Sequence, residues 1–384
     1  MSVETLKSAY NKYKEKDLFG RYINCSHILP LLENLKTTFE INEVGVSVEN
    51  RPIYSVKVGV GKKRIFMWSQ MHGNESTTTK AIFDFLNTIK LKDKCVDSIF
   101  NNCTLLIIPM LNPDGAEVYT RLNANSIDLN RDAQDLSQPE SRVLREVFNS
   151  FKPDYCYNLH GQRTIFGVGN SNNSATISFL APAQDKDCTV TSTRKVAMEI
   201  IATMSKNLQY QIPNQIGVYD DAFNINCVGD TFQSENVPTI LFEAGHFTND
   251  YDREIVRKFI FQSYIISLKY IAENDINGSN YKPYLGIGEN QKTFFDIIIK
   301  NAKISFSDVE TIDIGIIYQE VLINKTLEFK PRIEKISNLK NYFGHKTIDA
   351  SHGLIQTINS EILTEGYEND FVLINCEQFS LKPK

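Results

Sequence analysis

The sequence has no CxxC pair, no apolar run of membrane-spanning length, no excess of basic charge and no internal repeat. Each absence removes a class of function. Seven cysteines lie scattered at 25, 95, 103, 156, 188, 227 and 376. A dispersed, odd set without an export signal reads as reduced thiols serving as small core residues, not as a disulfide frame. The net charge of −5 argues against a nucleic-acid partner, since phosphate recognition demands a basic face. The segment from Phe259 to Ala272 is interrupted by Gln262, Ser263, Ser267 and Lys269, so it reads as a helix with a buried face and no membrane partner is expected. The start, Met1-Ser2-Val3-Glu4-Thr5-Leu6-Lys7, lacks an apolar stretch behind a basic one; the expectation is a cytoplasmic protein without a signal peptide.

What is present is ordinary for a globular chain: 384 residues, 42% hydrophobic and 23% charged. That length favours one large domain plus a smaller one. Helical spacing covers Thr5 to Lys16 and Ile28 to Thr37, and β-like runs at 44–47 and 53–58 flank Asn50 as a hairpin. Apolar runs at 65–68, 105–110, 155–159 and 239–242 read as central strands. Between them, Ala81, Ile82, Phe85, Leu86 and Ile89 recur at helical spacing, and a second long helix is expected over about 190–208. Ser137-Gln138-Pro139-Glu140 reads as a capping box opening a helix through Phe151. Alternating strands and helices imply an α/β fold, with a mixed, largely parallel central sheet flanked by helices. After a polar break at 274–280 the pattern becomes β-rich, with strands at 294–299, 312–320 and 327–330. The expected division is 1–280, with a helical lead-in to about 40, and a small β-rich domain over 281–384.

The deciding feature is His72-Gly73-Asn74-Glu75, between a strand-like run and a helix-like run. An imidazole and a carboxylate three residues apart on a turn opening a helix face the same side. Zinc needs this of two of its three protein ligands when the fourth position is kept for water. Glu243 makes an independent case: a carboxylate behind Ile240-Leu241-Phe242 faces desolvation unless it is paired or has chemistry to do. His72, Asn112, His160 and Glu243 each follow a strand-like run, at the sheet edge where α/β sites form.

Reading onward, Asn112-Pro113-Asp114-Gly115, Arg121, Asp128-Leu129-Asn130-Arg131, Asn158-Leu159-His160-Gly161 and Phe242-Glu243-Ala244-Gly245 follow in order. This series, over roughly residues 40 to 270, resembles the zinc metallocarboxypeptidase family, the relatives of pancreatic carboxypeptidase A and of bacterial murein-peptide amidases. The resemblance implies one Zn2+ held by His72, Glu75 and His160, with Asp128 accepting the outer N–H of the first histidine. It implies Glu243 as catalytic base, Arg121 as stabiliser of the developing oxyanion, and Asn130 with Arg131 as the grip on a substrate's free carboxylate. Tyr219 matches the family's mobile tyrosine. Asn226, Val228 and Asp230 compete for the floor of the specificity pocket.

Three departures stand out. Asp132-Ala133 replaces the asparagine and aromatic of many relatives; the short interval from Glu75 to His160 implies trimmed loops and an open funnel; and His246, three residues past Glu243, has no counterpart role and reads as structural. His27, His345 and His352 lie outside every motif.

The implied function is a zinc-dependent carboxypeptidase acting on peptides, or on acyl-amino acids, with a free carboxylate. The alternative is a zinc amidase or deacylase acting on murein-type or γ-linked peptides or N-acyl amino acids. A peptide-binding module without catalysis is the remaining class, and it fits less well because every mapped position is filled.

Overall fold

The computed structural model describes residues 1–383 and builds them around one ten-stranded sheet. Its strands are β1 (Glu40–Val46), β2 (Pro52–Val58), β3 (Lys63–Ser69), β4 (Cys103–Ile108), β5 (Tyr155–Gly161), β6 (Phe166–Val168), β7 (Ile177–Leu180), β8 (Ile216–Val218), β9 (Thr239–Ala244) and β10 (Gly288–Lys292). The spatial order is β1-β2-β4-β3-β5-β9-β7-β8-β10-β6. The centre, β4-β3-β5-β9, is parallel, whereas β1-β2, β2-β4, β9-β7 and β10-β6 are antiparallel.

Central parallel strands are buried on both faces, which is why they read as unbroken apolar runs. In β3, Ile65 and Met67 enter one core while Phe66 and Trp68 enter the other, as the two-residue strand period requires. The first core takes the helices α1 (Val3–Tyr13), α2 (Cys25–Leu35), α3 (Thr77–Lys90), α7 (Ser192–Leu208) and α9 (Glu254–Glu273). Between α3 and α7 come the short α4 (Asp97–Asn102) and α5 (Pro113–Glu117), then α6 (Pro139–Phe151). The opposite face is covered by α6 and α8 (Val228–Ser234), where Phe148 stacks on Phe232 at 3.9 Å. Among the described residues no helix is long and apolar enough to cross a membrane.

The capping box expected at Ser137 does not form. Gln138 is the N-cap of α6 and makes no side-chain cap bond. The buried Asp132 carboxylate instead accepts from Ser137 N, Ser137 Oγ and Gln138 N, and Glu140 Oε1 accepts from Val48 N. A charged acceptor with two oxygens out-competes a hydroxyl for the same donors. His27, which looked incidental, closes a true capping box at α2 by accepting from Asn24 N.

Beyond β10 the chain forms a four-stranded sheet in the order β13-β12-β11-β14: β11 (Phe294–Ala302), β12 (Ile312–Ile323), β13 (Thr326–Ser337) and β14 (Phe343–Asp349). A three-stranded sheet follows, β15 (Ile355–Gln356), β16 (Phe371–Ile374) and β17 (Glu377–Ser380). This region has its own apolar core, including Ile297, Ile299, Ile314, Ile316 and Ile333. The β12–β13 hairpin turns on Asn324 and Lys325, both at positive φ, the conformation that matches strand twist in a two-residue loop. Polar contacts tie this sheet to the larger body. Arg21 and Tyr119 both meet Glu320, and the buried Asp296 accepts from Tyr251 Oη and Thr164 Oγ1.

Candidate active site

After β3 the chain turns at Gln70, which has a positive φ, and presents His72 to Glu75 before entering α3. Gly73 is required here, because a Cβ would lie 2.0 Å from the Gly115 carbonyl carbon. That close approach locks the turn against the start of α5. On the neighbouring strands, His160 of β5 and Glu243 of β9 are cross-strand partners in a parallel ladder.

His72 Nδ1 lies 2.8 Å from Glu75 Oε1 and 3.2 Å from His160 Nδ1, and His160 Nδ1 lies 3.1 Å from Glu75 Oε2. The tautomer of His72 follows from its neighbours. Arg121 Nη1, which can only donate, approaches His72 Nδ1 at 3.2 Å, while Nε2 faces Asp128 Oδ1 at 3.0 Å. A ring proton on Nε2, given to Asp128, would leave the Nδ1 lone pair for a metal ion. Two imidazole nitrogens and a carboxylate converge at one point. Their ligand atoms all lie within 4.8 Å of one another. Nitrogens about 3.2 Å apart suit the edge of a tetrahedron with metal bonds of about 2 Å. This donor set fits a zinc ion with a position left for water or substrate.

The surroundings support those charges. Burial opposes ionisation of Glu75, but His72 and His160 hold its carboxyl well below the ordinary range. Asp128 is likewise held down, against its burial, by His72 and Arg121. Arg121 forks onto Asp128 Oδ2 through Nε (3.1 Å) and Nη2 (3.0 Å), and Nη1 reaches Glu75 Oε1 at 3.3 Å. Asn130 donates its backbone N–H to Asp128 and accepts from Val228 N, joining the ligand turn to α8. Arg131 is exposed and donates only to the Asn130 carbonyl.

Glu243 differs from all of these. Its Oε2 is buried without a partner, and burial followed by the Glu75 charge raises its pKa well above the usual carboxylate range. Tyr219 lines the same cleft and packs on Phe166 at 5.2 Å; burial, then Glu243, keeps its phenol neutral.

The cleft, of about 800 Å³, thus collects His72, Glu75, Arg121, Asn130, Arg131, His160, Tyr219 and Glu243. Of the three specificity candidates, Asp230 lines it, and burial raises this carboxyl to about 6. Some of the lining carried no sequence signal. Arg253, fully buried, donates to the carbonyls of Ala244 (2.8 Å) and Gln162 (3.0 Å), clipping together the strand ends that carry Glu243 and His160. The funnel is also walled by β12 and β13, through residues including Gln319, Glu320, Arg332 and Glu334. His246 lies behind the site, buried with neither ring nitrogen bonded, against Tyr251 and His345.

Comparison with known proteins agrees with this geometry. The 384-residue chain is 27% identical over 99 residues to carboxypeptidase 2 of Trichophyton rubrum, covering 26% of this chain and 18% of that one. It is 35% identical over 83 residues to γ-D-glutamyl-L-diamino acid endopeptidase 1 of Lysinibacillus sphaericus, covering 20% and 21%. These matches span about a fifth of the curated relatives' own length. Among solved structures, a metallo-carboxypeptidase from Pseudomonas aeruginosa superposes with a TM-score of 0.53 at 15% identity, over 65% of this chain and 69% of that one. Carboxypeptidase A from Helicoverpa armigera gives 0.52 at 15%, over 70% and 80%. At such identity the likeness is one of fold. The sequence profile described as zinc carboxypeptidase matches residues 28–233, more than half of the chain, and the protein therefore belongs to the zinc carboxypeptidase family.

Proposed function

We propose that the protein is a zinc-dependent carboxypeptidase that removes the C-terminal residue of a peptide through an activated water. The observation that carries this reading is the convergence of His72, Glu75 and His160 beside Glu243, a carboxylate whose buried Oε2 has no partner. When bound there, zinc would polarise the scissile carbonyl and lower the pKa of water. The chain's own residues do the rest. Glu243, with its raised pKa, takes a proton from the attacking water and delivers it to the leaving nitrogen. Arg121, steadied by Asp128, turns a guanidinium N–H toward the oxyanion as charge develops. Asn130 and Arg131 orient the terminal carboxylate, and Tyr219 closes over it. Among the described residues Asp230 has no ion-pair partner within 4.0 Å, which supports a preference for a leaving residue whose side chain carries an amino group.

That same preference supports a second reading, hydrolysis of a γ-linked amide to a diamino acid, and one relative is named for such an activity. We assign the catalytic work to the body that includes β10 and ends near residue 292, about a dozen residues beyond the expected boundary, and treat the β-rich remainder as a second domain, in keeping with its separate apolar core.

A panel of peptides ending in Lys, Arg, Phe and Leu, together with a γ-glutamyl-diamino acid peptide, tests both readings. The expected result is zinc-dependent release of the basic terminal residue that disappears on Glu243→Gln. No chelator-sensitive hydrolysis of any member would overturn the proposal.

A further inference from the structure

Resting on the hydrolytic reading, we propose that the C-terminal sheet belongs to the substrate-binding machinery. Asp296 and His345 are positioning residues that act through Thr164, holding the loop after His160 in the shape that receives substrate.

The connection between β5 and β6 serves two neighbours. From Gly161 to Phe166 every residue but Thr164 lines the cleft. Thr164 is buried and gives its hydroxyl to Asp296 Oδ2 of β11 at 3.2 Å. Its carbonyl accepts from His345 Nε2 of β14 at 2.8 Å, and the Ile165 carbonyl accepts from Phe294 N at 3.1 Å. The middle of the loop is thus tethered by the second domain. The body holds its ends: Gln162 N donates to the Ala244 carbonyl, and the Phe166 carbonyl accepts from Ala175 N. Packing closes the same seam, since a Cβ on Gly167 would lie 2.7 Å from the Phe294 ring.

The tethering groups are placed for this task. Ile297 and Ile299 enter the second domain's own core, and strand alternation sends Asp296 to the other face, against the body. There it is fully buried and accepts from Tyr251 Oη (2.9 Å), Thr164 Oγ1 and Tyr318 N (2.8 Å). A buried carboxylate is costly unless its oxygens are bonded, and Tyr251 and Thr164 both belong to the body. No step of the hydrolysis uses this acid. His345 stacks on Phe294 with ring centres 4.7 Å apart, which fixes the direction of its N–H. The end of the loop carries the consequence. Phe166 packs on Tyr219 at 5.2 Å, so a loosened loop frees the tyrosine that closes over the terminal carboxylate. When a fraction of molecules holds the binding shape, apparent affinity falls by that fraction. His160 and Glu243 stay on their strands, so the effect belongs in KM and not in kcat.

The test is Thr164→Val, which keeps the shape and removes the hydroxyl, in the zinc-loaded full chain with a peptide ending in Lys. KM should rise about tenfold, the worth of one bond to a buried acid, with kcat held within about twofold and zinc content unchanged. Thr164→Ser, which restores the hydroxyl, should bring KM back. His345→Leu removes the other tether and should act in the same direction, and it decides the matter if Thr164→Val does not fold. Amide hydrogen exchange should quicken over residues 162–166 and stay level over 72–75. An unchanged KM, a loss confined to kcat, or a defect that Thr164→Ser retains overturns the assignment. Calorimetry with the same peptide on a Glu243→Gln background separates this outcome from failure of the hydrolytic reading. Affinity weakened by Thr164→Val, in a protein whose native form cleaves nothing, upholds the loop's role and sinks the reaction; cleavage with affinity unmoved does the reverse.

Discussion

Two groups of buried charge in this molecule behave in opposite ways. On the helical face, Arg257 grips both oxygens of Asp84 at 2.6–2.7 Å, with both side chains fully buried, and its remaining N–H groups reach the carbonyls of Leu18 and Glu15. Lys80 nearby is shared among the carbonyls of Gly20 and Asp252 and the carboxylate of Glu254. Each of these charges finds its partners within the chain. In the cleft, Glu243 Oε2 and His160 Nε2 have none, and the facing nitrogens of His72 and His160 lie 3.2 Å apart. A completed network clasps the N-terminal lead-in to the core. An incomplete one, facing the cleft, is arranged for groups that come from outside.

That contrast can be broken in several ways, beginning with the largest effect. Stripping the metal with a chelator should reduce hydrolysis to background, and zinc should restore it in step with measured metal content. Glu243→Gln should lower kcat by about 10²–10⁴-fold while zinc content holds and Tm stays level or rises, since an unpaired buried acid is removed. A fall in Tm would place Glu243 with the clasp rather than with the chemistry. Asp84→Ala should do the opposite, costing about 3–5 kcal/mol in denaturant unfolding because Arg257 is left uncompensated, with little change in kcat of the folded protein. Asp128→Asn should weaken metal binding by about 10–100-fold, read by competition with a chromophoric chelator.

The smallest effect concerns pH. Burial depresses His345 from 6.5 to about 4, so the folded state resists its protonation. The stability that this group contributes is present above pH 6.5 and is lost as pH falls toward 4. Tm should therefore decline over that window, and less steeply in His345→Gln; an unchanged slope would remove His345 as the cause.

Some of this organisation was legible in the sequence and some was not, for physical reasons. The central strands announced themselves because residues such as Phe66 to Trp68 and Ile240 to Phe242 are buried on both faces. The ligand turn was readable because its spacing is local. The short strands β6, β7 and β8 have three or four residues each, too few to show a period even though Ile177, Phe179, Ile216 and Val218 join the core, and β10 reads Gly-Glu-Asn-Gln-Lys, held by ladder bonds and not by an apolar pattern. Arg253 was invisible because its value comes from two backbone carbonyls, which no side-chain motif encodes. The expected open funnel also met a wall supplied by residues of β12 and β13, more than 70 positions downstream of Glu243, a distance that pattern reading does not cross.

The pairing of His160 with Glu243 across neighbouring strands has a consequence for any attempt to re-engineer the reaction. Their separation is set by the pitch of the backbone ladder, not by flexible loops, so it can change only in whole steps. Sliding one strand by a single position would send the carboxylate through to the far face of the sheet. New specificities must therefore be sought in the surrounding walls, with this pair left as a fixed gauge.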